Sequence, residues 1–147
     1  MELELRRASL SDIDLLAEMN KQLIEDEGSM NSMSIDELKN RMSTWIGTSY
    51  LADLIIARQE TVGYALYSFK QNQYDTNIKE VYLRQYFIVR KFRKLGFGLQ
   101  GINLLKEQRF NDVDSIEIDV LESNTIGKQF WIKAGFKPSY TSMKMKV

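Results

Sequence analysis

The chain has 147 residues, enough for one domain with a single core, and 44% of them are hydrophobic and 27% charged, an ordinary globular balance. Its 20 basic residues equal its 20 acidic residues, so the overall charge gives no reason to expect nucleic acid as a partner. The absence of Cys and His excludes disulfides, thiol nucleophiles, His-based triads and the commonest zinc sites, and nothing else in the sequence indicates a metal.

The chain begins with MELELRRASLSD, which lacks the apolar run of a secretory leader. No stretch of the sequence is long and apolar enough to span a bilayer. We therefore expect a cytoplasmic protein with no membrane partner.

Residue patterns predict three elements before residue 50. LELRRA, residues 3–8, has the composition of a short first strand. Ser9 and Asp12 resemble a helix-start signal, and apolar residues at helical spacing continue towards Gly28. Ser34 and Glu37 form a capping box that predicts a second helix, which we expect to end at Gly47.

Seven further elements follow, and β-rich runs and helical patterns distinguish them. They are strands at 50–58, 61–69 and 80–89, a helix from the glycine-rich turn to 110, a strand at 115–120, a helix at 124–135 and a strand at 139–147. The first two of these strands flank a short polar turn and predict an antiparallel hairpin. The last strand would be an exposed sheet edge that can pair with a second chain, so we include a homodimer among the expectations.

The order of elements is therefore β, α, α, β, β, β, α, β, α, β. This order predicts one domain over residues 1–147, with a mixed α/β or α+β layer and a largely antiparallel first half. It is not the regular alternation of a doubly wound parallel sheet.

A glycine-rich turn precedes the third helix and matches two phosphate-binding patterns. Residues 96–101 are G-x-G-x-x-G, the dinucleotide pattern, and Asp119 lies at a suitable distance to hold a ribose. Six residues separate Val89 from Gly96, however, and too little chain follows for further βα units. Counted from Arg93, the same turn is R-x-x-G-x-G, in which backbone N–H groups at a helix start, glycines and basic side chains bind phosphate.

Two segments resemble the GNAT N-acetyltransferase superfamily. IVRKFRKLGFG, residues 88–98, resembles its acyl-CoA-binding motif, R/Q-x-x-G-x-G/A after the fourth strand. Residues 124–136, NTIGKQFWIKAGF, resemble its N-x-x-A-x-x-F-Y-x-x-x-G-F segment. The element order fits along the whole chain. The resemblance implies a GNAT-like fold with a mixed sheet of about six to seven strands, splayed between the fourth and fifth, and about four helices.

By this resemblance, acetyl-CoA is the expected cosubstrate. Backbone groups of Phe87, Ile88 and Val89 would pair with its pantetheine arm, and the N–H of Ile88 would donate to the thioester carbonyl. Asn124 would hold the arm from the other side, and Phe130 and Trp131 would line the thiol end or pack in the core. The backbone from Arg93 to Gly98 would hold the pyrophosphate, through residues Arg93, Lys94, Leu95, Gly96, Phe97 and Gly98.

The implied reaction is direct transfer of an acetyl group to a primary amine of a small molecule or peptide. Two positions depart from the family pattern: Gln85 stands where many members have a carboxylate base, and Trp131 stands where many have a tyrosine acid. Glu80 and Glu122, at the ends of the splayed strands, and Tyr140 are tentative replacements that could equally serve the surface or the core.

The acceptor is expected opposite the cosubstrate, near the first two helices. Three acids, Glu25, Asp26 and Glu27, oppose the dipole at the end of the first helix, and a cationic acceptor would offset that cost. We expect them to shape the acceptor pocket with Tyr82, Arg84 and Gln85. The alternative is a solvated acidic helix end.

Two other functions stay open at the level of sequence. The departures at Gln85 and Trp131 are compatible with a CoA-binding module of weak catalytic activity. The G-x-G-x-x-G pattern is compatible with a nucleotide-binding oxidoreductase.

Overall fold

The computed structural model describes residues 2–147. Five strands and four α-helices follow the predicted order, and short 3₁₀ turns at Leu10–Asp12 and Arg90–Phe92 precede two of them. The elements are β1 (Leu3–Arg7), α1 (Ile13–Glu27), α2 (Ile35–Thr48), β2 (Leu51–Ala57), β3 (Glu60–Gln71), β4 (Lys79–Ile88), α3 (Phe97–Gln108), β5 (Ser115–Glu117) and α4 (Thr125–Lys133).

One sheet contains all five strands in chain order. The pairs from β1 to β4 are antiparallel, and β5 runs parallel to β4 after the α3 crossover. The pairing of β4 with β5 covers only Glu80 to Tyr82, opposite Ser115 to Glu117. The rest of β4 runs on to Ile88 without a partner on that side among residues 2–147, so the predicted mixed sheet and its splay between the fourth and fifth strands are confirmed.

Local capping explains why the first two helices begin and end where the sequence predicts. Ser34 Oγ accepts the Glu37 N–H at 3.2 Å and Glu37 Oε1 accepts the Ser34 N–H at 2.9 Å, the expected capping box. Helix α1 ends at Gly28, whose φ of 67° is left-handed. Helix α2 does not stop at Gly47 but ends one residue later, since a single glycine in a last turn is tolerated.

The sheet separates two apolar layers. Alternation along β3 points Tyr64 and Leu66 towards α1 and α2, and Ala65 and Tyr67 towards α3. Leu16 and Met42, fully buried, fill the first layer, while Ile102 and Leu105 fill the second. Strand β4 lies beside β3 in the same sheet and is therefore also packed on both faces. This packing fixes its position.

A buried ion pair anchors the C-terminal end of α3. Asp53 of β2 is fully buried, and its carboxylate accepts hydrogen bonds from Arg109 Nε at 3.1 Å and a second Arg109 nitrogen at 2.9 Å. The Tyr67 hydroxyl donates to Oδ2 of the same carboxylate. Because a buried charge needs such partners, the network fixes α3 against the sheet, and the turn before α3 with it.

The prediction for the C-terminal segment is wrong within the single chain. The fifth strand ends at Glu117 instead of residue 120, and residues 139–147 form no strand, so the sheet has five strands and not six or seven. Met143 and Met145 are 87% and 85% exposed. Residues 142–147 do alternate polar and apolar side chains. A strand forms only where a neighbouring backbone accepts its hydrogen bonds, however, and β5 is too short to provide one within the chain.

Candidate functional site: an anion cradle beside an open strand edge

The turn before α3 exposes six consecutive backbone N–H groups. Among residues 2–147, none of the amides from Lys94 to Leu99 has a hydrogen-bond acceptor, and the first helical bond is Gln100 N–H to Gly96 O at 3.1 Å. Lys94 and Gly96 have left-handed φ angles of 64° and 82°. Such turns in a backbone make a concave nest of donors that binds anions, and the N-terminal end of the α3 dipole adds positive potential.

The two arginines of the turn are engaged by acids of α1. Arg93 donates through Nε to Ile88 O at 2.8 Å and also pairs with Asp26. Arg90 pairs with Asp26 at 2.8 Å and with Glu25 at 3.1 Å. The Arg93 N–H donates to Arg90 O at 3.2 Å, so it lies outside the free series. Arg93 therefore shapes the turn, and Lys94 is the basic side chain left without an acidic partner in the described chain.

The N–H of Ile88 faces the splay. The neighbouring Val89 N–H donates across to Val62 O of β3 at 2.8 Å. Successive N–H groups along a strand point to opposite edges, so the Ile88 N–H points away from β3, to the side where β4 has no partner. The predicted donor thus lies at the end of the open edge, a few residues before the anion cradle.

An aromatic cluster from α4 closes the far side of β4. Phe130 stacks on Tyr86 of β4, with ring centroids 6.4 Å apart and planes 15° from parallel, and Trp131 lies 5.7 Å from the same ring. Tyr86 donates its hydroxyl proton to Gly98 O at 2.6 Å. A Cβ on Gly98 would lie 2.9 Å from Phe130, so this glycine is required for helix packing as well as for its place in the motif.

Asn124 begins α4. Its Oδ1 accepts the Gly127 N–H at 3.0 Å, an N-cap bond that fixes the start of the helix carrying Phe130 and Trp131. The side chain that the motif assigns to pantetheine is thus also a structural cap.

The opposite face of β4 carries a polar group between α1 and α2. The β3–β4 register is irregular between Leu66 and Tyr67, so Arg84 is an extra residue on β4. The side chains of Arg84 and Gln85 therefore lie on the same face of the sheet. Tyr64 donates its hydroxyl proton to Gln85 Oε1 at 2.8 Å. Arg84 donates to the Tyr50 hydroxyl at 3.2 Å. Two residues earlier on β4, Tyr82 donates to Asp119 beyond the end of β5 at 2.7 Å.

The three acids at the end of α1 are not equivalent. Glu25 and Asp26 pair with Arg90 and Arg93, whereas Glu27 has no ion pair among residues 2–147 and is half-buried. Burial, and then the charge of Asp26, raise the pKa of Glu27. The charge of Glu27 in turn helps to raise the pKa of Tyr64, which burial raises most. Glu27 is therefore electrostatically coupled to the Tyr64–Gln85 pair.

Solved structures with this architecture were found for the whole chain. A possible acetyltransferase from Clostridium difficile 630 is 15% identical over 100% of this chain and 99% of its own, with a TM-score of 0.83. Aminoglycoside N-acetyltransferase AAC(6')-Iy, in complex with CoA, is 16% identical over 99% and 95%, with a TM-score of 0.76. A predicted acetyltransferase from Clostridium acetobutylicum, with acetyl-CoA, is 16% identical over 99% and 96%, with a TM-score of 0.74. The chain has the GNAT fold.

The comparisons of the sequence as a whole found no relative. No protein-family model matches the sequence, and no curated protein matches it. No helix within residues 2–147 combines the length and the apolar character needed to cross a membrane.

Three tentative catalytic residues do not lie together in this GNAT fold. Glu80 is eight positions from Ile88 on β4, about 26 Å at 3.3 Å per residue, and its carboxylate accepts from Asn72 and Ser115. The Glu122 side chain is 94% exposed and pairs with Lys128. Tyr140 is 73% exposed in the unpaired C-terminal segment. Of the acids that the sequence assigned to acceptor binding, Glu27 is half-buried, lacks an ion pair among residues 2–147 and affects the pKa of Tyr64.

Sequence reasoning missed Arg41 and its partner Asn20. Arg41 of α2 donates to Asn20 Oδ1 of α1 at 3.2 Å, and Asn20 is fully buried. The sequence does contain an indication of this pair. Asn20 and Arg41 occupy positions within the apolar stripes of their helices, where a polar side chain is unusual and indicates a structural or functional role.

Proposed function

We propose that this protein transfers an acetyl group from acetyl-CoA to a primary amine of a small molecule or peptide. The observation that carries the proposal is the series of six free amides, Lys94 to Leu99, next to an open strand edge that ends at the Ile88 N–H. This arrangement fits a long ligand with a pyrophosphate at one end and an amide-containing arm, since the arm can use the unpaired backbone of β4 as a further strand would.

Three parts of the cosubstrate would each have a group to hold them. The nest and Lys94 would bind the pyrophosphate, the β4 edge at Phe87 to Val89 would bind pantetheine, and the aromatic pair Phe130 and Trp131 would border the thiol end. Bound acetyl-CoA supplies an acetyl thioester, an activated carbonyl that an amine nitrogen can attack. The Ile88 N–H would donate to the carbonyl oxygen as negative charge develops on it.

Glu27 would accept the proton that the amine loses. A carboxyl whose pKa lies above its ordinary value is a stronger base once ionised. The charge of Glu27 acts on Tyr64, which donates a hydrogen bond to Gln85 of β4. The new C–N bond forms as the C–S bond breaks, and the thiol has a pKa of about 8.5, so the leaving thiolate needs no dedicated acid. Gln85 would then position the amine without taking a proton.

The binding test is thermal stabilisation by CoA, acetyl-CoA and NADPH. Ligand at 100 times its Kd adds about 2.7 kcal/mol to the free energy of unfolding. We expect both CoA species to raise Tm and NADPH to have no effect. A shift with NADPH alone would support the oxidoreductase and overturn the proposal.

A pair of glycine variants tests the cradle itself. Gly96→Ala places a Cβ on a left-handed residue among the free amides, and Gly28→Ala imposes the same backbone strain, at φ 67°, in open space after α1. We expect CoA affinity to fall about tenfold in the first variant and to stay unchanged in the second. Equal affinities would show that CoA binds elsewhere.

The turnover test is thiol release from acetyl-CoA with a panel of amines. Release that depends on an amine supports the transferase. Stabilisation by CoA without release under any amine would instead identify a CoA-binding module.

We also propose that two chains pair through their C-terminal segments. Residues 142–147 alternate polar and apolar side chains, and Met143, Met145 and Val147 are all exposed. The segment has no strand partner in residues 2–147. Two such segments can supply each other with the missing partner across a two-fold axis.

A further inference from the structure

Two arginines share one aromatic ring on the acceptor side of β4. The guanidinium carbon of Arg41 lies 4.3 Å from the Trp45 ring centroid, and that of Arg84 lies 4.7 Å from the same centroid. Arg84 also donates to Tyr50, whose ring lies 5.4 Å from Trp45. Stacking on an indole stabilises each guanidinium group, but it brings two like charges together.

Neither guanidinium group has an acid to neutralise it. Among the described residues, Arg41 and Arg84 make no salt bridge, whereas Arg6, Arg7, Arg90, Arg93 and Arg109 each do. Burial and the charge of Arg84 lower the pKa of Arg41. Two unneutralised cations held on one ring form a site where an anion would be stabilised.

Two buried donors at this place lack an acceptor. Arg41 donates one N–H to Asn20 Oδ1, but its Nε has no acceptor, and Asn20 Nδ2 has none either although Asn20 is completely buried. Buried donors without acceptors cost free energy. A carboxylate carries two oxygens that can accept such hydrogen bonds, and its negative charge would neutralise one of the two arginines.

The arginine pair lies along β4 from the place where the amine must be held. Arg84 precedes Gln85, which Tyr64 holds by a hydrogen bond, and Arg84 lies four positions before Ile88, about 13 Å along the strand. An extended peptide of about four residues covers this distance. A single acceptor molecule of that length can therefore contact the arginines with one end and present its nitrogen near Ile88 with the other.

We propose that the acceptor is an amine that also carries a carboxylate at the far end of an extended molecule, such as a peptide of about four residues, and that Arg41 and Arg84 bind this carboxylate. This inference rests on the proposed transferase function and adds the substrate class. Glu27, on the same side of β4, holds the amine end, so the two ends of the acceptor meet side chains of opposite charge.

Matched acceptor pairs test the inference. Each short peptide is compared with its C-terminal amide and methyl ester, which keep the amine and lose the negative charge, and with an aminoalkyl phosphate. Thiol release from acetyl-CoA gives KM and kcat for each. We expect KM about tenfold lower for the carboxylate form. Equal KM values for charged and neutral forms, or preference for the phosphate, would overturn the inference while leaving the transferase intact.

Variants locate the carboxylate site. Arg84→Gln should raise KM about tenfold for the carboxylate acceptor and so remove the difference in KM between this acceptor and its neutral ester. Arg58→Gln is the control, since Arg58 lies on the β2–β3 turn and also has no ion pair among residues 2–147. Arg41→Lys, which keeps the charge, should raise KM less than Arg41→Gln. Thermal stabilisation by CoA, unchanged in all variants, shows that each is folded.

A binding measurement without turnover tests the carboxylate site separately from the transferase function. Titration of the protein, saturated with CoA, with the carboxylate amine measures acceptor affinity when no acetyl group is present. If this affinity falls in Arg84→Gln while no amine ever releases thiol, the transferase is wrong and the carboxylate site stands. If the affinity is identical in both proteins, the carboxylate site is wrong.

Discussion

The pKa values of two adjacent carboxyl groups at the end of α1 are shifted in opposite directions. Glu27 is half-buried without an ion pair in the described chain, and burial followed by the Asp26 charge raises its pKa. Burial also acts to raise the pKa of Asp26, but hydrogen bonds from Arg93 and Arg90 outweigh it, so the pKa of Asp26 is lowered. Neighbours in sequence thus have opposite effects on stability.

Glu27→Gln is expected to stabilise the protein at neutral pH. The folded state binds the Glu27 proton more tightly than the unfolded state, so stability falls as pH rises from near 4.5, the unfolded value, through the raised folded pKa. Above both values the ionised group destabilises the fold, and Gln removes that cost. Thermal unfolding should show a higher Tm for the variant at pH 7 and little difference at pH 4.

Asp26→Asn is the matched control. Its folded pKa is lowered, so its contribution is present above the unfolded value and is lost as pH falls through the folded value. This variant should therefore lower Tm at pH 7. If the proposed base is correct, Glu27→Gln also lowers kcat by at least about 100-fold, whereas Asp26→Asn does not, and equal kcat values would remove Glu27 from the mechanism.

At the residue scale the sequence identified the groups but not their pairing. Glu25, Asp26 and Glu27 are equivalent in the sequence, and their difference arises from Arg90 and Arg93, more than 60 positions away. The free amides were predictable because a helix start always leaves them unpaired. The Arg41–Trp45–Arg84 cluster was not, since it joins α2 to β4 through contacts that no local pattern encodes.

At the scale of elements, glycine has two distinct roles in the helices. A Cβ on Gly101 of α3 would lie 2.2 Å from the Tyr86 hydroxyl, whereas a Cβ on Gly47 of α2 would have nothing within 4 Å. Gly101 is thus required for close packing of α3 on β4. Gly47 contributes no packing and weakens its helix.

Alanine at the two positions should have opposite effects on stability. Gly101→Ala forces Tyr86 from its bond to Gly98 O and should lower the free energy of unfolding by about 1–3 kcal/mol. Gly47→Ala should raise it by about 0.5–1 kcal/mol, because alanine is the better helix former. Urea denaturation measures both. Stabilisation by both substitutions would mean that α3 can shift away from Tyr86.

Elements were predictable where their signals are local. The capping box at Ser34 and the left-handed Gly28 fix helix ends within a few residues of chain, and the alternation of β3 fixes its two faces. The segments 118–120 and 139–147 have strand composition but form no strand, because a strand depends on a neighbour that is distant in sequence.

At the scale of the whole molecule, the proposed pairing of C-terminal segments predicts the oligomeric state. If the exposed apolar face of residues 139–147 pairs with a second chain, charge on that face should prevent association. Met143→Asp with Met145→Asp should convert a dimer to a monomer in light scattering after size exclusion. Lys144→Asp with Lys146→Asp introduces the same residues on the other face and should leave the dimer intact. A monomeric unmodified protein would contradict the pairing.

The contact of Asp26 with Arg90 and Arg93 joins the two halves of the site. Arg93 belongs to the turn that would hold pyrophosphate, and Asp26 belongs to the helix that carries Glu27, so an anion in the turn competes with Asp26 for the same guanidinium group. A ligand bound in one half of the site then changes the affinity of the other half for its own ligand. The factor is the same whichever of the two ligands binds first. Because partly exposed pairs contribute no more than about 1 kcal/mol, this factor is about fivefold at most. Under the proposed function, such coupling would give a graded preference between the two orders of substrate addition and not an obligatory order.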